Sequence, residues 1–289
     1  MQIATHAGVK ALLAQHGLKA RKSLGQNFLV DPHVLGKIIR AANIGPGDWV
    51  LEIGPGLGGL TQALAEAAGA VCAVELDRIL AAILQTTFAD FPTVEIVHSD
   101  IMAFDIAAQT VRFPALKHKV VANLPYYIST AVTMHLLEHF AFDSLTVMVQ
   151  REVAERMTAK PGSAAYGSLS LAVQYQAEAH IAAYVPQNCF LPRPRVDSAV
   201  VHLERLAQPR VSGDRAALFA LIRAGFGQRR KTLVNCLHSA ELYPASKAEL
   251  AEVIGGLWDA HIRGETLALE DWATLSEALR KRWEEDVLH

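Results

Sequence analysis

The sequence predicts an α/β fold in which a doubly wound, mostly parallel sheet is followed by a small all-α domain. Short apolar runs alternate with helical patterns from residue 33 to residue 203, and this alternation is typical of βαβ units. A glycine-rich turn directly follows the first of the predicted strands. Beyond Ala207-Gln208-Pro209 the apolar spacing is helical only, so we place the two domains at residues 1–206 and 207–289.

Each predicted element depends on a local pattern. Residues 33–42 carry apolar side chains at helical spacing, and Gly45-Pro46-Gly47 predicts the turn that follows. Short apolar runs predict strands at residues 49–53, 71–75, 94–97, 119–122, 145–149 and 199–203. Between them, helical spacing predicts further helices at residues 61–68, 78–88 and 128–139.

The composition is that of a globular protein without metal or disulfide motifs. The chain has 289 residues, of which 51% are hydrophobic, which is enough to bury a core. No apolar run approaches the roughly 20 residues that cross a bilayer. The three cysteines form no C-x-x-C pair, and the histidines show no metal-ligand spacing. We expect a cytoplasmic monomer with no metal and no membrane partner. A transit peptide is the alternative for the acid-poor N-terminus, but residues 21–32 resemble functional protein.

Charge is segregated along the chain although the net charge is only −2. Residues 1–40 carry a net charge of +5 and residues 191–231 carry +6. Residues 51–110 carry −7 and residues 240–289 carry −6. The basic segments fit a localised binding surface for a polyanion, and they fit ordinary solvated surface equally well.

The glycine-rich turn predicts a nucleotide-like cofactor. Gly54, Gly56 and Gly59 follow a strand and open a helix, and Glu75 ends the next strand, where a carboxylate can bind ribose hydroxyls. This pattern fits a nicotinamide dinucleotide and S-adenosylmethionine equally. Glu52 and the acidic surroundings favour the sulfonium and amino group of the latter over a pyrophosphate. Asp100 either binds the adenine of the cofactor or serves as a turn residue.

The segment Asn123-Leu124-Pro125-Tyr126 follows the fourth predicted strand, beside the predicted cofactor. An exocyclic adenine amine is a weak nucleophile, because its lone pair is delocalised into the ring. The Asn123 side-chain oxygen and the Leu124 carbonyl could accept its two N–H groups, and Tyr126 offers a face for stacking. Pro125 stiffens the segment. Without the glycine turn and Glu75, the same residues would predict an ordinary turn.

Taken together, several motifs in this order resemble the small-subunit ribosomal RNA adenine dimethyltransferases, the KsgA family. They span residues from about 20 to about 275. The motifs are Leu24-Gly25-Gln26-Asn27-Phe28-Leu29, Glu52-Ile53-Gly54-Pro55-Gly56-Leu57-Gly58, Val74-Glu75-Leu76-Asp77, Asn123-Leu124-Pro125-Tyr126, Phe190-Leu191-Pro192-Arg193-Pro194-Arg195-Val196-Asp197-Ser198-Ala199-Val200 and Phe226-Gly227-Gln228-Arg229-Arg230-Lys231-Thr232-Leu233.

The resemblance implies a Rossmann-like class I methyltransferase that dimethylates two adjacent adenines near the 3′ end of small-subunit rRNA, within an immature small ribosomal subunit. It implies S-adenosylmethionine contacts by Gln26, Asn27, Leu29, Gly54, Gly56, Glu75, Asp100 and Asn123. It implies that the catalytic pocket consists of Asn123, Leu124, Pro125 and Tyr126, with Phe190 closing over the other face of the adenine. It implies RNA contacts by Arg193, Arg195, Arg229, Arg230 and Lys231.

Three alternatives belong to different classes. A large-subunit rRNA methyltransferase of the antibiotic-resistance type would use a similar pocket. A non-catalytic ribosome-assembly factor would use the fold as an RNA clamp, although the intact segment 123–126 argues against loss of activity. A nicotinamide-dependent oxidoreductase would need an acid–base residue for hydride transfer, and the sequence identifies none.

Overall fold

The chain folds into two units, which the computed structural model describes over residues 2–21, 25–139, 142–228 and 230–283. The first, the sheet unit, comprises Met1–Glu155 and Glu178–Arg205. The second, the helical unit, comprises Arg156–Ala177 and Leu206–His289.

The strands form one large sheet and one small pair. Within the described part of the chain they are β1 (Phe28–Leu29), β2 (Asp48–Ile53), β3 (Ala70–Glu75), β4 (Val94–His98), β5 (Lys117–Asn123), β6 (Ser144–Gln150), β7 (Ala177–Val185), β8 (Phe190–Leu191) and β9 (Ser198–Arg205). The large sheet has the order β4-β3-β2-β5-β6-β9-β7, and β1 pairs with β8. Strands β2 to β6 pair in parallel, whereas β9 is antiparallel to β6. The predicted α/β fold with a mostly parallel, doubly wound sheet is therefore confirmed.

Helices connect these strands and begin at recognisable caps. They are α1 (His6–Gln15), α2 (Pro32–Ala41), α3 (Gly59–Ala67), α4 (Arg78–Thr87), α5 (Ile106–Thr110), α6 (Ser129–His139) and α7 (Arg151–Met157). Asp31 caps α2 by accepting the backbone N–H of His33 at 2.9 Å, and Asp77 caps α4 by accepting that of Ile79 at 2.9 Å. No helix in the described residues combines the length and the apolar character needed to cross a membrane.

The order of the strands creates a crevice at one edge of the sheet. From β2 the chain continues through β3 and β4 on one side, and later through β5 and β6 on the other. Ile53, at the end of β2, lies in register with Val74 of β3 and Ala122 of β5. The carboxyl ends of β2 and β5 are therefore neighbours at the point where the winding reverses, which is where open α/β sheets bind ligands.

The helical unit packs around a buried tryptophan. Its helices are α8 (Ser168–Gln176), α9 (Arg215–Phe226), α10 (Leu233–Ala240), α11 (Lys247–Leu257) and α12 (Leu269–Trp283). Trp272 is fully buried, and a Cβ atom on Gly225 would collide with its Cη2. Glycine at position 225 therefore lets α9 approach the indole ring.

The helical unit also contains a segment that the expected division placed in the first domain. Residues 156–177 belong to it, because Tyr166 is buried in its core and the Tyr166 hydroxyl donates to the Leu267 carbonyl at 2.9 Å. The chain enters the helical unit, leaves it at residue 178 and returns at residue 206. A change of pattern along the sequence detects only the last of these crossings.

A buried ion pair connects the neighbouring strands β5 and β2, and its contribution to stability can be tested by mutation. Lys119 Nζ lies 2.9 Å from Asp48 Oδ2 and donates to the Asn43 carbonyl at 2.7 Å. Because Lys119→Met leaves the Asp48 carboxylate buried without its cation, we expect the free energy of unfolding to fall by about 3–5 kcal/mol. Urea unfolding followed by circular dichroism measures this loss. Lys117→Met, on an exposed residue of the same strand, is the control, and equal losses in the two variants would contradict the prediction.

Candidate active site

The space beyond the carboxyl ends of β2, β3, β4 and β5, here called the crevice, contains most of the predicted site residues. It is open to solvent at its mouth, and the space in and above it amounts to about 1180 Å³. The predicted residues that line it are Gln26, Asn27, Leu29, Gly54, Gly56, Glu75, Asp100, Asn123, Leu124, Pro125 and Tyr126. Within the described residues, no group of three or more His, Cys, Asp or Glu side chains could hold a metal ion.

The glycine turn and Glu75 are joined by hydrogen bonds. Gly54 and Gly56 have φ angles of 66° and 63°, a conformation that glycine adopts without steric cost. The Gly56 N–H donates to Glu75 Oε2 at 3.0 Å, and the Asp77 N–H donates to Glu75 Oε1 at 2.8 Å. Burial raises the pKa of Glu75, while these two N–H groups lower it. The main chain thus holds a carboxyl group at the end of β3, facing the crevice.

Glu52 lies on the floor of the crevice with one oxygen unpaired. Its side chain is 1% exposed, and burial raises its pKa to about 8. Thr61 lowers this pKa and the charge of Glu75 raises it further, both less than burial does. Neither Glu52 Oε2 nor Thr61 Oγ1 has hydrogen-bond geometry to another described residue. A buried carboxyl without a partner is costly, and a cationic ligand in the crevice would supply one.

The segment 123–126 is anchored at each of its residues. The Asn123 amide Nδ2 donates to the Asn27 carbonyl at 3.4 Å, which leaves Oδ1 as the acceptor atom of that amide. The Leu124 N–H donates to the Met148 carbonyl at 3.1 Å. The Pro125 carbonyl accepts the Ile128 N–H at 3.2 Å. Asn123 and Leu124 are neighbours in the crevice lining, so the Asn123 Oδ1 and the Leu124 carbonyl are candidate acceptors for a ligand.

Tyr126 is held by a residue that the sequence reasoning did not single out. Its hydroxyl lies 2.7 Å from Ser198 Oγ, and Ser198 is fully buried at the start of β9. Burial raises the pKa of Tyr126, so the phenol stays neutral. The sequence contains a signal for this contact, because Ser198 belongs to the motif Val196-Asp197-Ser198, but the motif alone does not identify its partner.

The remaining polar residues of the crevice also bond to the protein itself. Gln26 Oε1 accepts the Arg21 N–H at 2.8 Å, and Gln26 Nε2 donates to Asp77 Oδ2 at 3.2 Å. Asn27 Nδ2 donates to the Gly25 carbonyl at 3.1 Å. Asp100 Oδ1 accepts the Met102 N–H at 2.9 Å, so Asp100 stabilises a turn and lines the crevice as well.

Phe190 does not lie where the resemblance implies. It is 2% exposed, and it packs in a core cluster with Leu29, Val34 and Met148. The pairing of β1 with β8 places Phe190 opposite Leu29 and directs its ring into that core. The side chain is not part of the crevice lining in this structure, and its contact with an adenine stays a prediction.

The predicted RNA-binding residues lie in both units. Arg193 and Arg195 are exposed in the sheet unit, and Arg193 Nε donates to Gln187 Oε1 at 3.0 Å. Arg230 and Lys231 are exposed in the helical unit, just before α10. Arg229 lies outside the described residues.

The raised pKa of Glu52 predicts a pH dependence of stability. Between its ordinary value of 4.5 and about 8 the folded protein holds a proton that the unfolded chain releases. We therefore expect the free energy of unfolding to fall as the pH rises through this range, by at most about 1.4 kcal/mol per pH unit. Urea unfolding of the ligand-free protein from pH 5 to pH 8 measures this fall, which Glu52→Gln should lack. Glu66→Gln, on an exposed residue of α3, should keep it, and identical profiles for Glu52→Gln and the unmutated protein would contradict the prediction.

Comparison with known proteins identifies the family. Ribosomal RNA small subunit methyltransferase A of Alkaliphilus oremlandii is 42% identical over 285 residues, covering 97% of this chain and 99% of the relative. A crystal structure of a dimethyladenosine transferase from Plasmodium falciparum superimposes with a TM-score of 0.74 at 26% identity, covering 88% of this chain and 98% of that one. The 23S rRNA methyltransferase ErmE superimposes with a TM-score of 0.66 at 27% identity, covering 88% and 99%. The family model described as ribosomal RNA adenine dimethylase matches residues 17–276, so the chain belongs to that family, whose methyl donor is S-adenosylmethionine.

Proposed function

We propose that this protein uses S-adenosylmethionine to dimethylate the N6 atoms of two adjacent adenines near the 3′ end of small-subunit (16S) rRNA. The observation that carries the proposal is the pair of acceptors, Asn123 Oδ1 and the Leu124 carbonyl, at the end of β5 beside the glycine turn. The name of the Alkaliphilus relative supports the small subunit as the target. We further propose that the protein acts as a cytoplasmic monomer on an immature small ribosomal subunit.

The crevice fits the methyl donor chemically. When bound, S-adenosylmethionine supplies a methyl group activated by a positively charged sulfur. Glu75, fixed by two main-chain N–H groups, is placed to accept hydrogen bonds from ribose hydroxyls. Glu52, whose raised pKa keeps its buried carboxyl protonated without a ligand, has an unpaired oxygen, and a cationic group of the ligand would pair with it and favour its ionised form. The left-handed turn at Gly54 and Gly56 lets the main chain approach the ligand without a side chain in the way.

Residues 123 and 124 explain how a weak nucleophile can be used. The Asn123 Oδ1 and the Leu124 carbonyl would each accept one N–H of the adenine amine. These two bonds hold the amine so that its lone pair points away from the ring plane and toward the methyl group. No side-chain nucleophile is needed, because alignment of the reacting atoms accounts for much of the acceleration.

Tyr126 supplies an aromatic face for the adenine. Base–aromatic stacking typically contributes about 1–3 kcal/mol, and the bond to Ser198 keeps the ring in one orientation. Because Phe190 is buried, a second face from that residue would require its ring to leave the core. A base that is stacked in an RNA double helix cannot enter such a crevice, so the target adenine is single-stranded or flipped out of the helix.

Mass mapping of ribosomal RNA tests the proposal directly. Immature small subunits and large subunits are incubated separately with the protein and labelled S-adenosylmethionine. We expect label on two adjacent adenines of the small-subunit RNA. Label confined to the large subunit would favour the large-subunit alternative; the 23S rRNA methyltransferase ErmE has a fold similar to that of this chain. Tight binding of the small subunit without label would favour a non-catalytic assembly factor.

Removing the Asn123 acceptor should abolish methyl transfer. Asn123→Ala deletes one of the two groups that hold the amine, and loss of one such preorganised group typically costs about 100- to 1000-fold in rate. Turnover is measured on undermethylated small subunits. Calorimetric binding of S-adenosylmethionine is the control and should remain largely intact. Equal turnover by Asn123→Ala and the unmutated protein would exclude the mechanism.

The basic residues before α10 should contribute phosphate contacts. For Arg230→Ala with Lys231→Ala, we expect the slope of log affinity against log salt for small-subunit binding to become shallower by about 1.4 to 1.8. Lys160→Ala with Lys247→Ala removes two exposed charges elsewhere in the helical unit and is the matched control. An equal change of slope in both double variants would mean that only net charge matters, and an unchanged slope would identify residues 230–231 as ordinary solvated surface.

A further inference from the structure

The first residues of the chain form an ordered helix. Thr5 caps α1 by accepting the Gly8 N–H on its Oγ1 at 3.0 Å. A Cβ atom on Gly8 would collide with the Gln2 carbonyl oxygen and lie 2.7 Å from that of Ile3. Residues 2–15, here called the N-terminal segment, therefore fold back on themselves in a defined way. The family model begins only at residue 17, so the match assigns no role to this segment.

The apolar side chains of the N-terminal segment are buried in the sheet unit. Ile3 is 4% exposed, Val9 1% and Leu12 5%. All three belong to one core cluster, whose other buried members are Phe28, Val30, Leu57, Leu80, Leu84 and Phe88. Burial this complete gives the segment a fixed place in the fold.

The segment packs directly against the glycine turn and the start of α3. The Ile3 N–H donates to Gln62 Oε1 at 3.1 Å. The Ala4 Cβ lies 3.1 Å from the position that a Cβ would take on Gly59. Phe28, a member of the same cluster, lies 3.2 Å from the corresponding position on Gly56. Residues 3 and 4 therefore contact the first turn of α3, which directly follows the glycine turn, and Phe28 of the same cluster contacts Gly56.

Two side chains of the segment reach the crevice itself. Ile3 and Val9 line it together with Leu57, Leu60 and Leu80, whereas Leu12 does not. We propose that Ile3 and Val9 are part of the cofactor site, where they form an apolar wall on the side of the glycine turn and hold that turn in its binding conformation. This inference depends on the proposed use of S-adenosylmethionine. The wall excludes water beside the buried carboxyls of Glu52 and Glu75, where electrostatic attraction for a cationic ligand is thereby strengthened.

Calorimetry with S-adenosylhomocysteine, the stable product, separates a role in binding from a role in folding. Ile3→Ala and Val9→Ala remove wall atoms, and we expect each to weaken binding roughly 5- to 30-fold, because the ligand then buries less apolar surface. Leu12→Ala is the matched control, because Leu12 lies in the same helix as Val9 and in the same core cluster as both residues, but outside the crevice. It should lower thermal stability to a similar extent and change binding less than about twofold. Ile3→Leu, which keeps the apolar volume, should restore most of the affinity.

The outcomes distinguish this inference from the proposed function. If the unmutated protein binds the ligand and Ile3→Ala and Val9→Ala bind it equally well, the proposed role of Ile3 and Val9 is wrong, whereas the proposed function is unaffected. An equal loss of affinity in Leu12→Ala would also overturn that role, since the effect would then follow stability alone. Failure of the unmutated protein to bind would overturn the proposed function and this inference with it. Faster hydrogen exchange of the amides at residues 54–59 in Ile3→Ala, but not in Leu12→Ala, would support the positioning of the turn.

Discussion

The carboxyl group of Glu75 joins the ends of two neighbouring strands, and the geometry of the site depends on this connection. It accepts the N–H of Gly56, in the turn after β2, and the N–H of Asp77, the N-cap residue of α4. A turn of glycines in left-handed conformations has little stiffness of its own, since glycine tolerates many conformations. The bond from Gly56 ties this flexible turn to the end of β3, and the bond from Asp77 fixes the carboxyl group that makes the connection.

The second half of the site depends on contacts between segments far apart in the sequence. Ser198, which bonds the Tyr126 hydroxyl, is 72 residues away along the chain. The adjacent Asp197 accepts the Arg151 N–H on its carbonyl and the Gln187 N–H on its side chain. Polar residues in this loop therefore connect the ends of β6, β7 and β9 to the segment 123–126. Asp197 and Ser198, which belong to one of the motifs that resemble the family, thus have a structural role: they form hydrogen bonds between distant segments.

Features that depend on a local sequence pattern could be predicted from the sequence, whereas features that depend on contacts between distant segments could not. The buried strands β2, β3 and β5 are short apolar runs, so their positions and the glycine turn between them could be predicted. Strand β7 could not, because it lies at the sheet edge and exposes every second residue, which weakens an apolar pattern. Helix α1 has its apolar residues spread around the helix, and only packing against the core explains their burial. The orientation of Phe190 depends on the pairing of β8 with β1, which no local pattern reveals.

Buried acidic residues and exposed basic residues occupy different parts of the described chain. The crevice holds two buried carboxyls, Glu52 and Glu75, and burial raises the pKa of both. Burial makes the ionised form of both carboxyls costly, and a cationic methyl donor would offset that cost. The exposed basic residues lie elsewhere, at Arg193 and Arg195 in the sheet unit and at Arg230 and Lys231 in the helical unit. Acidic and basic side chains, whose charges nearly cancel in the net charge, are therefore separate features of the described chain.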